Sequence, residues 1–211
     1  PVVSLEETAR NERSLSKIFK NQRLLAAFIL NFVSIYAYFV MVTWLPQFLI
    51  AERGVAVSQV GIISSLVPWA SLPAMLLIAR LSDRYQTTRF YLKYRVPLSA
   101  SAILFVSLSQ SRFWIMFGLI CYGFFGKLTV DSLLVAYVGK HAPRHLLSTA
   151  LSCLNFFGMC ASVFAPLVTG VLSDWFGTMK IAFWLSAILL LVGVSIFLVK
   201  DKAESLSEVS K

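Results

Sequence analysis

The sequence predicts an all-α membrane protein of six transmembrane helices, built as two inverted three-helix repeats. Three observations carry this expectation. First, 58% of the residues are hydrophobic and only 14% are charged. With a mean hydropathy of +0.76, that composition excludes a soluble globular domain. Second, the apolar residues fall into six runs separated by turns that alternate between basic and nearly uncharged. Third, the tripeptide Leu-Ser-Asp recurs at matching places in the two halves of the chain.

The six runs lie at 24–50, 60–79, 96–108, 113–138, 147–172 and 181–199. A bilayer crossing takes roughly 20 apolar residues. The third run is short of that, so its helix is expected to begin near Phe90–Tyr94, with Lys93 and Arg95 snorkelling to the interface. The expected organisation is a cytoplasmic linker at 1–23, a six-helix transmembrane bundle at 24–199 and a cytoplasmic tail at 200–211. Within the linker, Leu15, Ile18 and Phe19 suit a short surface helix, and a flexible linker suits the polar composition equally. The tail reads as disordered. With its start at Pro1 and this linker-like opening, the sequence reads as a piece of a longer polypeptide.

A net charge of +9 would suggest nucleic acid in a soluble protein. Here the basic residues gather in two connections, and no nucleic acid is expected. Arg80, Arg84, Arg89, Lys93 and Arg95 lie around the second connection; Lys140, Arg144 and two histidines lie in the fourth. The positive-inside rule makes these connections and both termini cytoplasmic, in a multi-pass protein of the plasma or inner membrane. The lipid bilayer is therefore one partner. Cys121, Cys153 and Cys160 sit inside apolar runs and read as small packing residues. His141 and His145 lack a third ligand at suitable spacing, so neither metal nor cofactor is expected.

The repeat reads Leu81-Ser82-Asp83 and Leu172-Ser173-Asp174, each with an aromatic residue two positions after the aspartate. One copy ends the second run on the basic side; the other ends the fifth on the opposite side. Two three-helix units of opposite orientation place them so.

The fourth run holds the strongest chemical signal, Lys127 and Asp131. A charge at bilayer depth costs at least about 2.5–3.5 kcal/mol, so it faces a partner, a cavity or a translocation path. Spaced i, i+4, the two share a helix face and can neutralise each other. Gly123, one turn earlier, leaves room for a neighbouring helix or a ligand. In a functional reading Asp131 takes up and releases a coupling proton while Lys127 attracts an anion. In the alternative the pair locks two helices together.

At the basic connection ARLSDRYQTTR the chain resembles the major facilitator superfamily. Leu81, Asp83, Arg84 and Arg89 match that family's signature loop; Ala79 and Gln86 replace its two glycines. Thr43–Leu49, TWLPQFL, and the Asn-Phe-Phe-Gly starting at Asn155 resemble the anion:cation symporter branch. The resemblance covers nearly all of residues 20–200. It implies the C-terminal six-helix half of a twelve-helix carrier, partnered by an N-terminal six-helix half of the same protein. It further implies that Asn155 contacts an anionic substrate and that Asp83, Arg84 and Arg89 form a conformational latch. Without the resemblance, Asn155 reads as an interhelical hydrogen bond and the latch as a solvated charge cluster.

On the first run Asn31, Ser34 and Tyr38 recur at i, i+3 and i+7, and Tyr36 lies on a nearby face. Each of Asn31, Tyr36 and Tyr38 needs a polar partner at depth, which makes them candidates for substrate contact. The expected protein is not an enzyme: paired intramembrane carboxylates or a zinc-type HExxH are missing from the sequence. The expected function is secondary transport of a small organic anion, a sugar acid or carboxylate, coupled to a proton. A multidrug or neutral-solute exporter is the alternative, and a self-contained six-helix scaffold or channel a more remote one.

Overall fold

The computed structural model describes residue 16, residues 18–85 and residues 88–209, the side chains at 79, 82–85 and 204–209 excepted. Seven α-helices are described: α1 Gln22–Ala51, α2 Val57–Tyr85, α3 Thr88–Leu108, α4 Arg112–Phe125, α5 Lys127–His141, α6 Leu147–Phe176 and α7 Lys180–Val209. Among the described residues there is no strand. Asn21 starts α1, its side-chain oxygen accepting from the amides of Arg23 and Leu24 at 3.0 and 3.2 Å, which satisfies two of the first-turn donors.

The six apolar runs are all helical, and the fourth run is two helices, α4 and α5. Taken by length and composition, α1, α2 to Ile78, α4 with α5, α6 and α7 to Ala203 can each cross a membrane. α3 does not meet that criterion because Arg89, Lys93 and Arg95 fall in its first turns. Its 21 residues are nonetheless long enough, and it packs against α7 and α4 inside the bundle.

The packing is reciprocal between the two triples. The first helix of one triple, α1, packs on α6 and α7, the second and third of the other. In return the α4–α5 span packs on α2 and α3, while the third helices α3 and α7 pack on each other. A two-fold relation between the triples requires this pattern, and it is what inverted repeats give. α1 is the most enclosed element, because it also meets α5 and α2.

α1 and α7 are antiparallel and pinned at both ends. On the basic side Arg23 Nε lies 3.9 Å from Asp201 Oδ1. At the other end Glu52 accepts from Thr178 Oγ1 at 2.9 Å and from the Met179 amide at 2.6 Å, with Lys180 Nζ 3.7 Å away. The two pins are separated by the length of α1, roughly 40 Å at 1.5 Å per residue. Where a disordered tail was expected, α7 continues to Val209, and Asp201 within it is only 7% exposed.

Asp201 also accepts from the Tyr137 hydroxyl and lies 3.2 Å from Arg89 Nη1, so one carboxylate joins α1, α3, α5 and α7. Removing one partner of a buried charge cluster costs about 3–5 kcal/mol. Asp201→Ala is expected to destabilise the protein by that order, measured by thermal unfolding in detergent. Lys180→Ala, at the more exposed pin, is expected to cost about 1 kcal/mol or less.

Candidate functional site

The fourth span breaks at Gly126, whose φ of −83° and ψ of −149° leave the helical region. Its amide still reaches Tyr122 O at 2.7 Å, and its carbonyl accepts from Val130 N at 3.2 Å. A Cβ at this position would stand 2.5 Å from the Tyr122 carbonyl oxygen, so only glycine fits the turn. A break at this depth frees backbone carbonyls that lipid cannot satisfy. Two side chains from other helices take them. Ser71 Oγ on α2 donates to Gly123 O at 2.8 Å, and Arg95 on α3 donates to Phe124 O.

Arg95 does not snorkel. It is 6% exposed and its guanidinium lies over the rings of Phe124 and Phe125, 5.5 and 5.3 Å from their centroids. The planar fork donates to a carbonyl while its faces rest on aromatics, a combination a lysine ammonium cannot reproduce. Gly123 serves helix packing: a Cβ there would lie 2.5 Å from Val67 O on α2.

α5 therefore begins at Lys127, beside a cavity of about 410 Å³ between α1, α5 and α6. Lys127 Nζ and Asp131 Oδ2 are 2.8 Å apart, and Lys127 Nζ also lies 5.3 Å from the centre of the Tyr38 ring. Asp131 Oδ1 is buried and has no hydrogen-bond partner among the described residues. Lys127, Asp131, Asn31 and Asn155 all line the cavity; Ile35, Phe39, Val135, Leu151 and Met159 give it apolar walls. Gly158 lets α6 approach this closely, since a Cβ there would fall 2.3 Å from Ile35 Cδ1.

The family model described as Major Facilitator Superfamily matches residues 14–211. The chain belongs to the major facilitator superfamily. Its similar curated relatives include a protein named probable galactarate/D-glucarate transporter GudP from Bacillus subtilis strain 168, 23% identical over 181 residues, which are 83% of this chain and 40% of the relative. The D-galactonate transporter of Escherichia coli O6:H1 is 22% identical over 192 residues, 88% of this chain and 44% of that protein. Probable galactarate/D-glucarate transporter GarP of Escherichia coli K12 is 26% identical over 167 residues, 75% of this chain and 37% of the relative. The chain thus spans less than half the length of these relatives.

Within this major facilitator chain the residues singled out from sequence separate into groups. Asn31 lines the cavity, but its amide donates to Leu154 O at 2.8 Å, so it also ties α1 to α6. Asn155 is exposed and lines the cavity without a hydrogen bond among the described residues. Tyr38 touches the site through Lys127 and lines a smaller cavity of about 110 Å³ against α2. Tyr36 is turned away: it is buried, lines neither cavity, and its hydroxyl has no partner among the described residues. Trp44, within the Thr43–Leu49 motif, lies against Gly170 of α6.

Of the latch residues, the side chains of Asp83 and Arg84 lie outside the described ones. Arg89 is described, and its partners are Asp201 and the Leu198 carbonyl. Sequence reasoning missed Asp201 and the roles of Gly126 and Arg95. The only local signal was a glycine directly before an intramembrane lysine. Arg95→Met is expected to leave the Phe124 carbonyl unsatisfied and cost about 1–3 kcal/mol locally. Hydrogen–deuterium exchange should then quicken across the α4–α5 junction while the middle of α1 stays protected.

Proposed function

We propose that this chain forms one wall of the substrate path in a secondary transporter that moves a small organic anion, a sugar acid or related carboxylate, together with a proton. The observation that carries the reading is the Lys127–Asp131 pair at a helix break on the edge of a cavity. Lys127 offers an ammonium, the N-terminus of α5 adds a partial positive charge, and Asn155 offers an amide to hydroxyl or carboxylate oxygens. The names of the curated relatives, galactarate, glucarate and galactonate transporters, support the same substrate class. An N-terminal six-helix half of the same protein supplies the opposite wall, and both termini face the cytoplasm.

The coupling follows from charge balance. With no substrate, Lys127 neutralises Asp131 directly at 2.8 Å. A substrate carboxylate that draws the ammonium away leaves Asp131 with a buried negative charge and no partner, which is costly in a low-dielectric site. Uptake of one proton by Asp131 removes that cost, so anion and proton enter together. Alternating access then exposes the loaded site to the other side, with Arg89, Asp83 and Arg84 acting as the latch on the basic side. The apolar cavity wall of Ile35, Phe39 and Met159 favours the second reading, an exporter of apolar or neutral solutes.

The test is uptake of labelled sugar acids by the full-length protein in proteoliposomes, with and without an inward proton gradient. Asp131→Asn is expected to abolish gradient-driven uptake while counterflow exchange survives. Unchanged gradient-driven uptake in that variant reduces the pair to a structural lock. Failure of every anion to enter, with apolar solutes transported, selects the exporter.

A further inference from the structure

Asn31 of α1 meets the charged cavity in a fixed orientation. It is 4% exposed, and its Nδ2 donates to Leu154 O of α6 at 2.8 Å. A main-chain carbonyl accepts and never donates, so this partner settles which way the amide faces. Flipping it would set Oδ1 against Leu154 O, two acceptors facing each other in a buried site. The fit behind it is close as well, since a Cβ on Gly158 would stand 3.1 Å from Nδ2. With the nitrogen committed to the α6 backbone, Oδ1 is the polar atom that Asn31 has left for the cavity it lines. That oxygen can accept two hydrogen bonds and receives none among the described residues. Asn155 differs. It lines the same cavity from an exposed position, untied, and can present either end of its amide.

The cavity is therefore asymmetric along α1. Lys127 Nζ lies over the Tyr38 ring, 5.3 Å from its centre. Asn31 stands two turns earlier on the same helix, roughly 10 Å of rise away. One level of the cavity offers a positive charge and the other a fixed acceptor. A hydroxyl at the level of Asn31 donates to Oδ1 and fills its vacancy. A carboxylate there would meet Oδ1 oxygen to oxygen, beside a neutral amide. A buried charge without a counter-charge is costly, and an acceptor facing an acceptor adds to that cost.

We propose that Asn31 makes the site selective for an aldonate, which has one carboxylate and a terminal hydroxyl, over the matching aldarate with a carboxylate at each end. The inference rests on the transport reading above and narrows its substrate class. The aldonate carboxylate pairs with Lys127, and its terminal hydroxyl donates to Asn31 Oδ1. Asn155 accepts either group because its amide can turn, so it does not discriminate. The pinned amide does, because turning it would break its bond to Leu154 O. A site built to accept from a substrate hydroxyl rejects the analogue that cannot supply one.

The experiment is calorimetric titration of the purified full-length protein with two matched pairs, galactonate with galactarate and gluconate with glucarate. The analogue of each aldonate that lacks the terminal hydroxyl completes the set. The aldonate is expected to bind about tenfold more tightly than its deoxy analogue, and more tightly than its aldarate by at least about that factor. In Asn31→Ala both ratios are expected to fall towards one, because the fixed acceptor is gone. The wild-type series tests the selectivity even where that variant does not fold. An Asn31 that only ties α1 to α6 would weaken every ligand alike in Asn31→Ala and leave the ratios unchanged, which overturns the assignment. Wild-type protein that binds aldarate or deoxy analogue as tightly as the aldonate overturns it too, with the transport reading intact. Binding of none of these acids overturns the transport reading and the selectivity together.

Discussion

In a bilayer core no water is present to hydrogen-bond a released carbonyl, so a broken helix survives only where other protein groups replace its missing bonds. The Arg95–Phe124 contact, with Ser71 on Gly123 O, meets that requirement here. These groups reach the break from α3 and α2. Their support lets α5 restart at Lys127, which sets a lysine at a helix N-terminus beside a cavity. A cation there is opposed by the helix dipole, and Asp131 one turn later compensates it. The charged site thus depends on side chains from two other helices as much as on its own.

The reciprocal packing explains where that break can be tolerated. α1 and the α4–α5 span occupy equivalent places in the two triples, each packed on the second and third helices of the other. α1 stays continuous through Pro46 and is pinned at both ends to α7, while its counterpart is interrupted and held at its middle. One member of the pair is the rigid reference, and the other carries the polar discontinuity. The cavity lies where the two meet α6, the helix that exposes Asn155.

Much of this was legible in the sequence. Hydropathy alone gives the six runs, because lipid imposes length and apolarity on each crossing. The i, i+4 spacing gives the Lys127–Asp131 pair. The break was not legible, since Gly126 lies within a single run long enough to cross a bilayer and a lone glycine does not by itself end a membrane helix. The inward turn of Arg95 depends on α4 presenting an open carbonyl, a tertiary fact that distance from the span edge cannot supply. Asp201 was read as tail because it follows the apolar run, yet its burial comes from Arg23, Arg89 and Tyr137, all distant in sequence. Tyr36, expected on a face near that of Tyr38, stands two residues from it and so points to nearly the opposite side of the helix. Only the neighbouring helices decide which of them meets the site.

The central claim is that anion binding and protonation of Asp131 are one linked event. The direct measurement is calorimetric titration of the full-length protein with a sugar acid in buffers of different ionisation enthalpy, which counts protons taken up on binding. About one proton per bound anion is predicted, falling to none in Asp131→Asn with anion binding retained. Binding without proton uptake, or uptake that persists in Asp131→Asn, would contradict the account.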